Sequence, residues 1–171
     1  MRRLVAFLPL AALLALVALF GGWSLWRSSE VVPEAMVGKP LPALTIARLS
    51  GGAPAGLRLM ARGPALVNFY ASWCAPCVQE APALLALKAE GVKIIGVAYK
   101  DDPAQAKAFL ARLGDPYAED LADPDGRVGL EFGVTGPPET YAIDARGVIR
   151  AKRVGAIDAA AADDLVAAAR R

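Results

Sequence analysis

The only two cysteines of this 171-residue chain, Cys74 and Cys77, stand two residues apart in the stretch Trp73-Cys74-Ala75-Pro76-Cys77. Cysteines at this spacing can take part in disulfide exchange, a reaction in which the thiolate and not the thiol is the nucleophile. The chemistry therefore depends on what surrounds the pair. A reactive cysteine needs neighbours that favour negative charge on its sulfur.

The elements on either side of the pair meet that need. The stretch 64–71 is apolar and predicts a buried strand, and residues 78–88 are rich in helix-forming residues. Cys74 would then lie at a helix N-terminus, where free backbone N–H groups and the helix dipole stabilise a thiolate. Cys77, one turn further along, should be the less exposed of the two and suited to resolving a mixed disulfide.

Two other uses of a cysteine pair fit the sequence less well. A structural disulfide across two intervening residues closes a very small loop, so it restrains the unfolded chain little. A zinc site usually has four Cys or His ligands, and this chain has no further Cys and no His. We therefore favour a redox-active dithiol.

The N-terminal segment carries much of the hydrophobic excess of the chain, of which 56% is hydrophobic. Residues 4–26 contain no charge, and as a helix they would extend about 34 Å, against about 30 Å for a bilayer core. Trp23 and Trp26 suit the interfacial aromatic belt of a membrane span. The predicted organisation is a tail at 1–3, a transmembrane anchor at 4–26, a linker at 27–37 and a domain at 38–171.

Charge distribution predicts which way the chain crosses the membrane. Arg2 and Arg3 precede the apolar segment, so the positive-inside tendency leaves the N-terminus in the cytoplasm and sends the domain across. A cleaved signal peptide is the alternative, but the alanines of the segment are never spaced two apart as a cleavage site requires, and we prefer an uncleaved anchor. Beyond residue 27 the chain is nearly neutral, which gives no indication of a nucleic-acid surface.

The remaining pattern predicts the order β-α-β-α-β-α-β-β-α, a mixed sheet covered by helices. A weaker hairpin is expected in front of it, from 44–49 and 56–60. No Gly-rich phosphate loop is present. The first predicted elements are strand 66–71, a helix from Cys74 that is kinked at Pro82, and strand 92–99. Asp102 is the predicted N-cap of the next helix, which has Pro103 in its first turn and continues over 105–113. A turn at 123–126, helix 127–132, a hairpin of 140–143 with 148–154, and helix 159–170 capped by Asp158 complete the prediction.

A strand that ends in Trp-Cys-x-x-Cys, a helix, a second strand and a later Gly-x-Pro before a hairpin together resemble the thioredoxin fold over about residues 38–171. The stretch Gly133-Val-Thr-Gly-Pro-Pro-Glu-Thr-Tyr-Ala-Ile-Asp144 is more specific. With Tyr99-Lys-Asp-Asp102, Asp125-Gly126 and the apolar N-terminal segment, it resembles the membrane-anchored thiol:disulfide interchange proteins of cytochrome c maturation, the DsbE/CcmG family.

The resemblance implies a periplasmic reductant held by a single-pass anchor in the bacterial inner membrane. It would keep the haem-attachment cysteines of apocytochrome c, or of a partner that handles them, in the thiol form. A membrane electron-transfer protein would reduce it again. The implied redox group is the Cys74–Cys77 disulfide, with no other cofactor and no metal. By the motif match, Cys74 attacks, Cys77 resolves, Pro138 is a cis-proline facing them, and Trp73, Pro137 and Pro138 contact the substrate.

Two glutamates come with the same match. Glu80 lies three residues beyond Cys77 and so on one face of the same helix, and Glu139 directly follows Pro138. Thioredoxin has a buried acid in the strand before its cysteines, whereas the corresponding residue here is Asn68, which cannot titrate. We hypothesise that Glu80 or Glu139 replaces that acid and raises the thiol pKa. The alternative is two solvated glutamates without a role.

Pro137 departs from the thioredoxin pattern. The residue before the cis-proline offers its backbone N–H and C=O to a substrate strand, but a proline has no N–H. Substrate docking is therefore expected to be one hydrogen bond poorer, unless side chains do most of the holding.

Three other functions remain open at this point. A general periplasmic reductant or oxidant would use the same chemistry, because the sequence does not give a reduction potential. A copper(I) metallochaperone could use the two thiolates, although such proteins usually recruit His or Met close to the pair. A haem-binding scaffold is disfavoured by the lack of His.

Overall fold

The computed structural model describes residues 35–171 and, ahead of them, Leu16 alone. The chain divides into two units, Met1–Val32 and Pro33–Arg171, and the second holds every element named below. The predicted tail at 1–3, the anchor at 4–26 and most of the linker at 27–37 lie outside the described residues. Among the residues that are described, no helix combines the length and apolar character needed to cross a membrane.

The described part of the chain forms a mixed sheet with helices on both faces. Its strands are β1 (Thr45–Arg48), β2 (Ala55–Gly56), β3 (Ala65–Tyr70), β4 (Ile94–Tyr99), β5 (Glu119–Asp123), β6 (Glu139–Ile143) and β7 (Ile149–Val154). Its helices are α1 (Leu57–Met60), α2 (Ala75–Ala89), α3 (Pro103–Leu113), α4 (Arg127–Phe132) and α5 (Ala159–Ala169). This arrangement confirms the predicted thioredoxin-like fold.

The seven strands lie in the order β2-β1-β5-β4-β3-β6-β7. The central strands β3, β4 and β5 are parallel to one another, and the outer pairs β3–β6, β6–β7, β5–β1 and β1–β2 are antiparallel. Every residue of β3 and β4 is buried, because helices cover both faces of the sheet at its centre.

Side chains along β3 alternate between two hydrophobic cores. Leu66 and Tyr70 pack on the face covered by α2, α3 and α5, which is also the face of the two cysteines. Val67 and Phe69 pack on the other face with residues of α1 and α4. Since successive residues of a strand point to opposite faces, Asn68 lies on the cysteine face.

Local signals set the ends of the helices near the cysteines. Cys74 is the N-cap of α2, which continues through Pro82 to Ala89. The Asp102 carboxylate accepts hydrogen bonds from the first-turn N–H groups of α3, and Asp158 caps α5 in the same way. These helix starts agree with the sequence predictions.

The strand predicted for the second half of the early hairpin is wrong. Residues 57–60 were expected to be a strand, but only Ala55 and Gly56 pair with β1, and the next four residues form α1. Leu57 and Met60 are both buried, and side chains three residues apart share a face only in a helix. A helical turn buries both of them, whereas a strand would turn one to the solvent.

Candidate active site

Cys74 and Cys77 form a disulfide at the start of α2, with their Cα atoms 5.3 Å apart. The Cys77 backbone N–H donates to Cys74 Sγ at 3.2 Å, and Cys74 is the N-cap residue of the helix. After reduction, this N–H and the helix dipole would favour a thiolate on Cys74. The position suits a nucleophile.

The expected difference in exposure between the cysteines is not found. Cys74 and Cys77 are each 3% exposed. In the disulfide form both belong to one apolar cluster that also contains Ala71 and Leu84, so the bond brings the two residues into the same environment. The helix position distinguishes the two sulfurs, and their exposure does not.

The loop between β3 and Cys74 is fixed to the loop after β4. The buried Asp101 carboxylate accepts hydrogen bonds from the backbone N–H and the hydroxyl of Ser72. The Trp73 indole N–H donates to the Lys100 carbonyl at 3.1 Å, while the side chain as a whole stays 58% exposed. Trp73 therefore presents a held aromatic surface beside the disulfide. The contact of Asp101 with Ser72 connects segments 29 residues apart, and sequence reasoning did not predict it.

The Pro137–Pro138 peptide bond is cis, as the motif match implied. Pro138 directly precedes β6, and Glu139 pairs with Phe69 near the end of β3 that leads to Cys74. The proline thus lies at the same end of the sheet as the disulfide. Its carbonyl already accepts a hydrogen bond from the Gly155 N–H at 2.9 Å.

Glu80 is buried in α2, with 1% of its surface exposed. Its Oε1 accepts from Asn68 Nδ2 at 3.0 Å, and its Oε2 accepts from the Ile157 backbone N–H at 3.4 Å. Burial raises the pKa of Glu80 to about 7, and the hydrogen bonds from Asn68 and Ile157 partly offset that effect. Glu80 can therefore gain or lose a proton near neutral pH, one helical turn from Cys77.

Glu139 is fully buried as well, so the alternative of two solvated glutamates is wrong. Its carboxylate forms an ion pair with Lys152, Nζ to Oε2 2.7 Å, and accepts from the backbone N–H and hydroxyl of Thr135. The Tyr141 hydroxyl lies 2.9 Å from its Oε2. Burial favours the neutral form, but the hydrogen bonds from Lys152, Thr135 and Tyr141 outweigh it and lower the pKa of Glu139.

The two glutamates lie on opposite faces of the sheet. Thr140 shares the cysteine face, because its hydroxyl accepts from the same Asn68 amide that binds Glu80. Glu139 is the next residue along β6 and so points to the other face, where Tyr141 also packs. Glu139 is hydrogen-bonded to Thr135, in the segment that leads to the prolines. Of the two glutamates, only Glu80 lies on the face of the cysteines.

Sequence reasoning identified Asn68 only as a residue that cannot titrate, and it missed both the contacts of Asn68 and the two other polar residues near Glu80. Asn68 donates to the glutamate, Thr140 shares the Asn68 amide, and Tyr117 donates its hydroxyl to Asn68 Oδ1 at 2.7 Å. A polar residue inside an apolar strand was the available signal for Asn68, since buried polar groups need partners. Within the described residues, no group of three or more His, Cys, Asp or Glu side chains is arranged to hold a metal ion.

A disulfide at a helix N-terminus, a cis-proline at the same end of a mixed sheet and a buried acid one turn away define a thioredoxin-like thiol:disulfide oxidoreductase. Residues 36–167 match the model of the Redoxin family. The thiol:disulfide interchange protein DsbE of Pseudomonas fluorescens is 44% identical over 92% of this chain and 88% of its own. The corresponding protein HelX of Rhodobacter capsulatus is 40% identical over 91% and 89%.

The chain belongs to the DsbE thiol:disulfide interchange proteins of the Redoxin family. Solved structures agree with this assignment. A crystal structure of a secreted Mycobacterium tuberculosis disulfide oxidoreductase, described as homologous to DsbE, is 26% identical. It covers 74% of this chain and 96% of its own, with a TM-score of 0.65.

Proposed function

We propose that the protein is a membrane-anchored periplasmic reductant of cytochrome c maturation. It would keep the haem-attachment cysteines of apocytochrome c, or the thiols of a partner that handles them, reduced. The observation that carries the proposal is the Cys74–Cys77 disulfide at the N-terminus of α2 in a chain of the DsbE family. A membrane electron-transfer protein is the proposed source of its electrons.

The proposed reaction begins with the reduced dithiol. The Cys74 thiolate attacks a substrate disulfide, the substrate S–S bond breaks, and the leaving sulfur takes up a proton. Cys77 then loses its proton, attacks Cys74 Sγ in the mixed disulfide and releases the second substrate sulfur, which is also protonated. The substrate has gained two electrons and two protons, and the protein holds the Cys74–Cys77 disulfide of the structure.

Glu80 is the proposed acceptor for the Cys77 proton. The two residues are three apart on α2, a spacing that brings side chains together on one face of a helix. A carboxylate with a pKa of about 7 can accept a proton near neutral pH and return it to a leaving thiolate. Glu80 would thus perform the proton transfer that Asn68, at the position of the thioredoxin acid, cannot perform.

The proposed anchor is the uncharged segment 4–26, with residues 1–3 in the cytoplasm and the domain in the periplasm. The full-length chain is expected to stay in the inner-membrane fraction after a carbonate wash and to be digested by protease added to spheroplasts. A variant with Leu13 and Leu14 both replaced by Asp should lose membrane retention. Recovery of the parent as a soluble, N-terminally shortened protein would indicate a cleaved signal peptide instead.

A trapping experiment tests the substrate class. Cys77→Ser leaves Cys74 able to attack but removes the resolving thiol, so mixed disulfides should accumulate and be visible on non-reducing gels. Mass spectrometry of adducts formed by the full-length variant in cells that make c-type cytochromes is expected to identify an apocytochrome or a maturation partner. Cys74→Ser is the matched control and should form no such adducts.

Two results would count against the proposed substrate. Adducts with many unrelated periplasmic proteins would favour a general reductant. An absence of adducts in Cys77→Ser, with the variant folded and its Cys74 open to alkylation, would contradict the assignment of Cys74 as the attacking residue.

A further inference from the structure

A buried polar cluster lies on the cysteine face of the sheet, formed by Asn68, Glu80, Tyr117 and Thr140. The Tyr117 hydroxyl donates to Asn68 Oδ1 at 2.7 Å. Asn68 Nδ2 donates to Glu80 Oε1 and to Thr140 Oγ1, at 3.0 Å each. The hydrogen bond to Glu80 Oε1 therefore comes from an amide whose carbonyl oxygen accepts from the Tyr117 hydroxyl.

The position of Tyr117 depends on a glycine in β4, which has no side chain to occupy the space of the ring. Gly96 pairs with Asn68 in the β3–β4 ladder, and a Cβ atom at residue 96 would lie 2.5 Å from Tyr117 Cδ2. The Tyr117 ring also stacks on Tyr70, with centroids 4.9 Å apart. The ring is thus seated against the strand, with its hydroxyl directed to Asn68.

The Asn68 amide could present either of its ends to Glu80. In the orientation found, its N–H group faces the glutamate, and the other donor to Glu80 is the Ile157 N–H. Two donors stabilise the carboxylate form. The reversed amide would place a carbonyl against Glu80, which suits only the protonated acid. Tyr117 would then lose the acceptor of its buried hydroxyl, and an unpaired buried hydroxyl is unfavourable, so this orientation is disfavoured.

The Tyr117 hydroxyl keeps its proton near neutral pH, and so remains a donor. Burial raises the pKa of Tyr117 well above its usual value, and the charges of Glu80, Asp120 and Asp115 raise it further.

We propose that Tyr117 is a positioning residue for thiol–disulfide exchange: its hydroxyl holds the Asn68 amide with the N–H toward Glu80, and so favours the carboxylate that accepts the Cys77 proton. The proposal rests on the role given to Glu80 above. Tyr117, before β5, is a titratable group whose interaction with the Glu80 charge the structure shows. Cys77 lies three residues before Glu80 on α2 and is bound in the disulfide in this structure. Strand β3, strand β6 and the segment before α5 contribute groups that do not titrate near neutral pH: the Asn68 amide, the Thr140 hydroxyl and the Ile157 N–H.

The test is Tyr117→Phe, which removes only the hydroxyl. With glutamate labelled by ¹³C at Cδ, the titration midpoint of the Glu80 carboxyl in the oxidised protein is expected to rise by about one pH unit. The midpoint of the pH dependence of mixed-disulfide resolution should rise with it. Tyr70→Phe is the matched control. Tyr70 stacks on Tyr117, but its hydroxyl donates to Asp120, so removing it should leave the Glu80 titration unchanged.

An unchanged Glu80 titration in folded Tyr117→Phe would overturn the proposal, and so would equal shifts in Tyr117→Phe and Tyr70→Phe, which would point to packing alone. Adding Tyr117→Phe to Glu80→Gln should give no further change in the pH profile of exchange. If Glu80→Gln leaves exchange at the parental rate while Tyr117→Phe still shifts the Glu80 titration, the positioning effect stands and the proton-transfer role of Glu80 fails.

Discussion

Replacing Lys152 with Met should destabilise the folded protein by about 3–5 kcal/mol at pH 7.5, because it leaves the Glu139 carboxylate buried without its counter-ion. The loss should be smaller at pH 4.5, since a Glu139 freed from the ion pair can be protonated there and is then no longer a buried charge. Urea unfolding of the oxidised protein at the two pH values measures both effects.

Arg153→Met is the matched control for this prediction. Arg153 is the next residue of β7, is exposed and forms no ion pair within the described chain, so its loss should change stability by no more than about 0.5 kcal/mol. The double variant Glu139→Gln with Lys152→Met, which removes both charges, should recover part of the stability. A Lys152→Met protein within about 1 kcal/mol of the parent would contradict the ion-pair interpretation.

Glu80→Gln should make the oxidised protein more stable than the parent at pH 8 while leaving the two similar at pH 5. The folded-state pKa of Glu80 is raised from 4.5 to about 7, so its contribution to stability is present below about pH 4.5 and is lost as the pH rises through 7. The loss in the parent amounts to about 3 kcal/mol. Glutamine resembles the protonated acid at every pH, so the Glu80→Gln variant should not show this loss of stability.

The contribution of Asp120 to the pH dependence of stability must be separated from that of Glu80. Burial also raises the pKa of Asp120 to about 7, with the Tyr70 hydrogen bond acting in the opposite direction, so the parent curve contains both groups. The difference between the parent and Glu80→Gln isolates Glu80. Asp120→Asn should remove the other component without altering thiol–disulfide exchange. Parallel stability curves for the parent and Glu80→Gln would show that Glu80 does not titrate in this range.

Glu80→Gln should also slow resolution of the mixed disulfide on the order of 10²-fold at pH 8, since it removes the proposed proton acceptor. Stopped-flow measurement of thiol release from a preformed Cys74 mixed disulfide reports this step directly. The increase in rate through pH 7 should disappear together with the carboxylate. Unchanged rates in Glu80→Gln would refute the proposed proton transfer.

The elements that position the cysteines were predictable because their signals are local. The apolar stretches of β3 and β4 predict buried strands wherever they lie in the sheet, and Asp102 and Asp158 mark helix starts through contacts with the next few residues. The spacing of the two cysteines similarly carried their chemistry. Each of these inferences depends on neighbours in the sequence.

The polar surroundings of Glu80 depend on strand register, which the sequence does not show. Glu139 and Glu80 were expected to act alike, yet the pairing of Asn68 with Thr140 places the neighbouring Glu139 on the far side of the sheet. Tyr117 lies 49 residues after Asn68 in the sequence. Its hydroxyl can bind Asn68 because the ring packs against Gly96, where a side chain would clash with it. Only the assembled sheet brings such distant residues together.

The two consecutive prolines before β6 bear on how a client polypeptide is chosen. Neither Pro137 nor Pro138 has an N–H, and the Pro138 carbonyl is already bound to Gly155. This segment can therefore offer an arriving chain one main-chain acceptor, the Pro137 carbonyl, and no donor. Main-chain pairing accepts any sequence, so a site that has little of it must discriminate through side chains such as the exposed Trp73. We therefore expect the protein to act on few client polypeptides, because its main chain at the two prolines offers little pairing that is independent of sequence.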